Sequence, residues 1–187
     1  ASEEVSLSID ECIALINQLE ERLSPIEEKK QQLQETVVKY RASLNDIAHF
    51  RDLHYNIESI MNFKHVKYRF GKIALEYYDK FEQYIDNDLH TIFHRCQSDS
   101  EYVWGVYFVL AAEADQIDAV YSSLHFERFY LKGDYKGTPN EAYNELESAM
   151  KELEEQIDSL DKEINHILSR TAAQLRFARE RLTMASE

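Results

Sequence analysis

The sequence predicts an α+β protein, in which a long antiparallel two-helix coiled-coil hairpin is capped by a small βαββαβ lobe of the ferredoxin-like type. Three observations predict it. Heptad repeats run through the first 50 residues, a second heptad run occupies the last 50, and strand and helix patterns alternate between them. The predicted bounds are 8–50 for the first coiled-coil helix, 61–133 for the α/β lobe and 138–183 for the second helix.

The first helix is predicted from apolar residues on two seven-residue registers. Ser8, with Glu11 three residues later, forms a capping-box pattern at its start. Pro25 lies on neither register and predicts a kink of the helix toward solvent. Lys30 lies on one register, so its charge is expected to weaken the contact with a partner helix at that point. The registers hold Ile9, Ile16, Leu23, Val37 and Leu44, and Cys12, Leu19, Ile26, Leu33, Tyr40 and Ile47.

The second helix has the clearer start. A turn at 133–137 precedes Thr138 as N-cap, Pro139 at the first helical position and Glu141 three residues after the cap. Beyond Ile167 the stripe is predicted to shift by one place, which changes the local supercoil. The registers hold Leu146, Leu153, Leu160 and Ile167, and Met150, Ile157 and Ile164, followed by Leu168, Leu175 and Leu182.

Each apolar stripe needs a partner helix to bury it. Because two stripes of nearly equal length lie in one chain, about 90 residues apart, we expect them to bury each other as an antiparallel pair. The intervening lobe is then expected at the tip. Two coiled-coil helices require the ends of the lobe to emerge close together, which a βαββαβ arrangement allows.

The lobe is predicted from alternating and helical apolar patterns. The third predicted strand is the most regular, with Tyr102, Trp104, Val106 and Phe108 on one side, and Gly71 is expected to end the first. The predicted strands are 63–70, 89–97, 102–110 and 125–131, and the predicted helices are 74–87 and 112–124.

Charge and composition exclude several classes of function. The formal charge is −14, and residues 61–137 carry only −3 of it, so the acidity belongs to the solvated helix faces. Such a chain is a poor binder of nucleic acid or anionic lipid. No apolar run reaches the about 18 residues that span a bilayer, and no signal peptide is visible. Because the chain starts at Ala, we expect an excised, soluble piece of a longer protein.

Neither catalysis nor a metal or cofactor site is predicted. Cys12 and Cys96 form no motif and are expected to remain free thiols in a cytosolic setting. No glycine-rich phosphate loop or strand-turn-helix nucleophile occurs. The histidine pairs 49/54 and 90/94 lack ligand partners at known spacing, and carboxylates such as those at 154–155 lie on solvated helix faces.

Four short sequence segments in and after the lobe resemble those of one protein family. They are Phe70-Gly71, the run 102–108 (Tyr-Val-Trp-Gly-Val-Tyr-Phe), the run 122–128 (Ser-Ser-Leu-His-Phe-Glu-Arg) and the run 135–142 (Tyr-Lys-Gly-Thr-Pro-Asn-Glu-Ala). In combination they resemble subunit I of bacterial V-type ATP synthases, the counterpart of the eukaryotic V-ATPase a subunit. The resemblance is strongest over about 63–150.

The resemblance implies a function. In that family the cytosolic half carries two lobes joined by a coiled coil, and a membrane half follows. This chain resembles the distal lobe and coiled coil alone, so no ion-translocating residue carries over to it. The implied role is that of a non-catalytic stator at the cytoplasmic face of the cell membrane. Its implied partners are the peripheral-stalk subunits and the remainder of subunit I.

Two other classes remain open. In the first, the heptads pair between chains, which would make the protein a coiled-coil scaffold or dimerisation module with an α/β recognition lobe. The second is an acyl-binding or metal-binding enzyme on a ferredoxin-like fold, and the missing catalytic constellation disfavours it.

Overall fold

The protein mixes helix and sheet. The computed structural model describes residues 2–85, 89–131 and 135–186, with side chains at 9–83, 89–131 and 135–181. In chain order the elements are α1 (Ser2–Ala48), α2 (Ile57–Met61), β1 (Val66–Ala74), α3 (Leu75–Ile85), β2 (Thr91–Ser98), β3 (Tyr102–Leu110), a 3-10 turn (Ala111–Glu113), α4 (Ala114–Ser123), β4 (Glu127–Phe129) and α5 (Pro139–Ser186).

Contacts divide the chain into two compact units. The helical unit consists of α1 up to Val38 and of α5 from Met150. The sheet unit comprises Lys39–Ala149 and therefore contains all four strands.

The helical unit is a pair of helices with a shared apolar seam. Leu23 and Val37 of α1 are each 7% exposed, and Ile167 of α5 is 3% exposed. Lys30 forms an ion pair with Asp161, while the Arg181 guanidinium lies 3.7 Å from the Glu11 carboxylate. Residue numbers thus rise along one helix as they fall along the other.

The start of the seam differs from the prediction. Ile9 and Ile16 were expected on the stripe, but they are 47% and 42% exposed. Leu19, which was expected on the stripe, lines a small cavity of about 170 Å³ together with Ile167, and so does Leu15, which was not expected there. A straight helix advances about 20° per heptad relative to a strict seven-residue repeat, so the inward face moves to neighbouring positions.

Two further expectations for the helices differ from the structure. α1 begins at Ser2, so Ser8 lies inside the helix and does not cap it. The predicted shift of the α5 stripe does not occur at Leu168, which is 42% exposed while Thr171 is buried, but Leu175 of the shifted register is partly buried. Ile167, Thr171 and Leu175 follow one another at four-residue steps, so the stripe moves to the shifted register through Thr171 rather than through Leu168. The Leu182 side chain lies outside the described residues.

Two adjacent valines provide a matched test of the seam. Val37 is 7% exposed and Val38 is 65% exposed. We expect Val37→Asp to lower the free energy of unfolding of the helical unit by about 2–4 kcal/mol, because it buries an unpaired charge. Val38→Asp should change it by less than about 0.5 kcal/mol. Thermal melts followed by far-ultraviolet circular dichroism compare the two. Equal losses would show that the seam lies elsewhere.

The sheet is antiparallel and four-stranded, in the order β2-β3-β1-β4. β1 pairs with β3 over its full length, from Val66 opposite Leu110 to Ala74 opposite Tyr102. β2 pairs with β3 and has an irregularity between Arg95 and Gln97. β4 pairs with only three residues of β1. β1 and β3 therefore form the centre, and β2 is the longer of the two edge strands.

Each face of the sheet carries its own apolar cluster. On one face, α3 and α4 supply Phe81, Ile117 and Tyr121, which pack with Val103 and Tyr107 of β3. On the other face, the segment after α1 supplies Phe50 and Leu53, and α2 supplies Ile60. These residues pack against a set from the strands, which consists of Phe70, Cys96, Trp104 and Val106.

Several strand boundaries differ from the prediction. β1 starts at Val66 and continues past Gly71 to Ala74, because Lys72, Ile73 and Ala74 still pair with β3. β4 is limited to Glu127–Phe129, although 125–131 was expected. β3 has the predicted bounds. Residues 86–87 of the predicted helix 74–87 and residues 133–134 of the predicted turn lie outside the described residues.

Gly71 and Gly105 lie directly opposite each other at the centre of the sheet. A Cβ atom on Gly71 would lie 2.4 Å from the ring of Phe126, and one on Gly105 would lie 2.6 Å from the ring of Phe93. The absence of both side chains makes room for these two aromatic rings. Glycine is required here by close approach rather than by backbone conformation.

The start of α5 agrees with the prediction. The Glu141 backbone N–H donates to the Thr138 hydroxyl at 3.2 Å, so Thr138 caps the helix, and Pro139 is its first residue. Gly137 has a φ of +80°, which favours glycine in the preceding turn. Its carbonyl accepts a hydrogen bond from the Ile57 N–H at 2.9 Å, which links the start of α2 to the start of α5.

Candidate functional site

The sheet unit contains a polar pocket of about 590 Å³. Five pieces of chain form it: the end of α1, the segment after it, the end of β2 with the following turn, β3 and the first turn of α5. We call it the polar pocket. Its lining residues are Ala48, His49, Arg51, Asp52, His54, Gln97, Ser98, Asp99, Trp104 and Asn140.

Trp104 and His49 are the stacked pair of the polar pocket. Their rings are parallel within 6°, with centroids 4.2 Å apart. The His49 Nδ1 atom is 3.3 Å from the Gln97 side-chain oxygen, which fixes the orientation of the imidazole. Trp104 is 7% exposed, and its indole N–H has no hydrogen-bond partner among the described residues. A buried donor without a partner is unusual, because it retains its desolvation cost.

The β2–β3 turn is held by Asp99. One oxygen of its carboxylate accepts hydrogen bonds from the backbone N–H groups of Glu101 and Tyr102, at 2.7 and 2.8 Å. These two bonds lower the pKa of Asp99 below its ordinary value, since they favour the ionised form. The Asp99 N–H in turn donates to the Tyr102 carbonyl at 3.0 Å. The turn therefore presents a fixed negative charge to the pocket.

Arg51 joins the segment after α1 to α5. Its Nε donates to the Asn140 side-chain oxygen at 2.9 Å, and its guanidinium lies 4.1 Å from the centre of the Tyr143 ring. Both contacts orient the planar guanidinium at the pocket wall. The pocket thus holds one permanent cation, two histidines and two aspartates.

The arrangement favours the binding of a polar group over catalysis. Its side chains hold one another in place, and no nucleophile lies within hydrogen-bond reach of a base among the contacts of the described lining residues. His49 and His54, which the sequence treats as ordinary surface histidines, both line the pocket. Over the described parts of the chain, no group of three or more His, Cys, Asp or Glu residues is placed to hold a metal ion.

A second titratable cluster lies on the other face of the sheet. The Tyr107 hydroxyl donates to Asp118, which also accepts a hydrogen bond from Arg69 at 3.2 Å. The Tyr107 ring stacks on Tyr121 with centroids 3.5 Å apart, and the Tyr121 hydroxyl is 2.9 Å from that of Thr91. Burial raises the pKa of both tyrosines. The side chains named here are paired with one another, although the buried Arg69 Nε has no hydrogen-bond partner among the described residues, and the cluster serves to hold α4 on the sheet.

The histidine pair 90/94 is divided in the structure. His90 precedes β2 and lies 3.1 Å from the Glu113 carboxylate, whereas His94 lies within β2 opposite Val106. The two do not converge on a common partner. The paired carboxylates at 154–155 lie in α5, on exposed positions.

The two cysteines are free and differ in exposure. Cys96 is 5% exposed, and burial together with Asp52 raises the pKa of its thiol from 9.0 to about 12, whereas Cys12 is half-buried. A thiol with this pKa has roughly a thousandth of the thiolate of an ordinary thiol at pH 8. A chromogenic disulfide reagent should therefore modify Cys12 rapidly and Cys96 only on unfolding.

Single Cys→Ser variants show which cysteine reacts rapidly with the reagent and which reacts only on unfolding. The pKa of the Cys96 thiol is higher in the folded chain than in the unfolded chain, so the protonated thiol favours the folded state. This contribution to the free energy of unfolding is complete below pH 9 and is lost as the pH rises toward 12. Rapid modification of Cys96 at pH 8 in the folded protein would contradict its burial.

Comparisons with known proteins give limited matches. No protein-family model matches the chain, and no curated protein matches it. None of the described helices contains a stretch that is both long enough and apolar enough to cross a membrane.

Among solved structures, the chain is similar to a crystal structure of the cytoplasmic N-terminal domain of subunit I, homolog of subunit a, of V-ATPase. The identity is 14% and the TM-score 0.45, and the similarity covers 99% of this chain and 59% of that one. The likeness to this V-ATPase domain is therefore weak, and the chain spans 59% of its length.

Proposed function

We propose that the chain is a non-catalytic stator segment of a proton- or sodium-translocating rotary V-type ATPase or ATP synthase. In this role it links the membrane domain to the peripheral stalk and resists rotor torque. It would act at the cytoplasmic face of the cell membrane, bound to the peripheral-stalk subunits and to the remainder of subunit I.

The observation that carries the proposal is the pairing of two long helices from one chain. α1 has 47 residues and α5 has 48, and ion pairs connect them at Lys30–Asp161 and Glu11–Arg181. These pairs support an antiparallel hairpin as the arrangement of the coiled coil. A helix pair with a continuous seam is stiffer than a single helix, as a torque-resisting part requires.

The sequence segments that resemble subunit I also support the proposal. Phe70-Gly71 falls in β1 and 102–108 in β3, while 122–128 joins α4 to β4 and 135–142 leads into α5. The strand order β2-β3-β1-β4, with α3 and α4 on one face, supports a ferredoxin-like lobe between the bounds 61 and 133. The coiled-coil segments proposed beside it are 8–50 and 138–183.

The test is binding to the two peripheral-stalk subunits of the same organism, purified as a complex. We expect a saturable association measured by isothermal titration calorimetry. Val38→Asp, at an exposed position of α1, serves as a folded control. An absence of heat and of co-elution with the folded chain would overturn the stator role.

The alternative is a coiled-coil dimerisation module with an α/β recognition lobe. It predicts that the heptads pair between chains, whereas the proposed hairpin predicts a monomer. Sedimentation equilibrium at low micromolar concentration distinguishes the two. A dimer that persists on dilution and is dissociated by Val37→Asp would favour the alternative.

A further inference from the structure

The apolar seam of the helical unit changes its spacing along α1. Its first buried and half-buried seam residues are three, four and four residues apart, at Cys12, Leu15, Leu19 and Leu23. From Leu23 to Val37 the spacing alternates between three and four residues. The first run therefore covers 11 residues in three helical turns, whereas the second follows the seven-residue repeat.

α5 changes its spacing in the same way. It follows the seven-residue repeat over 150–164, and its seam residues are then three, four and four residues apart, at Ile164, Ile167, Thr171 and Leu175. The two 11-residue runs lie beside each other, since one cavity is lined by residues of both. An 11-residue repeat favours a right-handed supercoil and a seven-residue repeat a left-handed one. The preferred supercoil therefore changes within the helical unit.

The cavity between the two runs marks incomplete packing of the seam. It has a volume of about 170 Å³, and Gln18, Arg22 and Gln174 form part of its wall. Thr171 is 8% exposed and places a short polar side chain at a seam position. Because unfilled volume costs stability in proportion to its size, we expect the helix pair to be locally weak at this cavity.

The backbone of α1 is interrupted at the same place. Pro25 lies inside the helix, just after the 11-residue run, at an exposed position. Proline has no N–H, so the Glu21 carbonyl cannot receive its helical hydrogen bond, and the proline ring crowds that carbonyl. Glu21 directly precedes Arg22 of the cavity wall. Beyond Pro25 the two helices are connected by the ion pair of Lys30 and Asp161.

We propose that the helical unit contains a joint at Pro25 and this cavity, at which one part of the helix pair opens cooperatively while the other part stays closed. The opening segment consists of 9–24 and 167–181, and the heptad segment consists of 26–38 and 150–164. Proteins open locally in contiguous cooperative units, and regions with few buried apolar contacts open most readily. The change of supercoil, the unfilled volume and the missing N–H all fall at one boundary, so the pair yields at one defined place.

The inference goes beyond the stator role and does not depend on it. The joint is a property of the helical unit, whichever assembly the chain enters. Failure to bind stalk subunits would leave the joint intact, and a helix pair without a joint could still bind those subunits.

Amide hydrogen exchange of the whole chain, followed residue by residue by NMR, tests the joint. We expect the amides of 17–24 and 168–175 to share one opening free energy and to exchange at least about tenfold faster than those of 30–37 and 153–163. The exchange rates should therefore change in a step at Pro25. A gradual rise toward the ends of both helices is ordinary fraying, and that result or equal rates throughout would overturn the proposal.

Matched variants locate the joint. Pro25→Ala restores the missing N–H and should slow exchange in the opening segment at least about tenfold, while the heptad segment changes by less than about twofold. Thr171→Leu fills the cavity and should also slow exchange in the opening segment. Ser24→Ala, at the exposed neighbouring position, restores no hydrogen bond and should slow exchange by less than about threefold. No slowing by Pro25→Ala, or equal slowing in both segments, would show that no joint lies there.

Discussion

Trp104→Ala is expected to lower the free energy of unfolding of the sheet unit by about 3–5 kcal/mol. Trp104 is 7% exposed, packs with Val106 and Phe70, and stacks on His49. Its removal leaves a cavity in the cluster beneath Phe50 and Leu53, and the strands cannot close that cavity without losing their pairing.

The matched control is Trp104→Phe. It keeps an aromatic ring on the sheet and removes the indole N–H that lacks a partner. Because an unsatisfied buried donor costs about 1–3 kcal/mol, its removal offsets part of the lost packing, and the net loss should be below about 1.5 kcal/mol. Equal losses in the two variants would mean that a phenyl ring does not replace the packing of the larger indole in this cluster.

Near-ultraviolet circular dichroism during urea unfolding measures both variants. All twelve tyrosines lie within Lys39–Ala149, so their signal reports the sheet unit without interference from the helical unit. A near-neutral Trp104→Ala would contradict the burial of this side chain.

Gly105→Ala is expected to cost at least about 3 kcal/mol, the upper end of the usual range for overpacking. A Cβ atom there would lie 2.4 Å from the His94 carbonyl oxygen and 2.6 Å from the Phe93 ring. The ring can rotate, but the carbonyl belongs to the paired backbone of β2, so the clash persists unless the β2–β3 ladder shifts.

Gly137→Asn provides the comparison for Gly105→Ala. At Gly137 the nearest atom to a new Cβ is the end of the flexible Glu141 side chain, at 2.5 Å, and Asn tolerates the positive φ of this position. We expect a loss below about 1 kcal/mol. The same urea titration compares the two variants, and a mild effect of Gly105→Ala would show that β2 moves aside readily.

The sequence predicts the regular elements well where local signals are sufficient. Tyr102–Leu110 alternates without interruption, and its bounds agree with the prediction. Thr138 and Pro139 are a local start signal for α5, because the Thr138 hydroxyl caps the helix and proline suits the first helical position. Leu23, Val37 and Leu44 of α1 are buried, as the heptads indicate.

The errors occur where a distant partner determines the outcome. Gly71 reads as a strand end, but β1 continues because β3 offers partners as far as Tyr102. β4 is short because it pairs with only Phe70, Gly71 and Lys72. Ile9 and Ile16 fit the heptad, yet the helix rotation turns Leu15 inward instead.

The polar pocket could not be predicted from local sequence. His49, Gln97 and Asn140 come from three distant stretches, and the helix-start motif around Asn140 does not point to the other two. The short helix α2 did have a signal that could have been found. Asn56 caps it through the Ser59 N–H at 3.2 Å, and Asn followed by Glu58 is a typical helix start.

The central position of β1 has a consequence for synthesis on the ribosome. Its two neighbours, β3 and β4, are encoded after it, and β4 ends only at Phe129. At about 5–20 residues per second, β1 waits on the order of seconds before both its edges are paired. In that interval it is an unpaired apolar strand that can aggregate. Lys67, Arg69 and Lys72 interrupt it with positive charge and protect the nascent chain until its partners emerge.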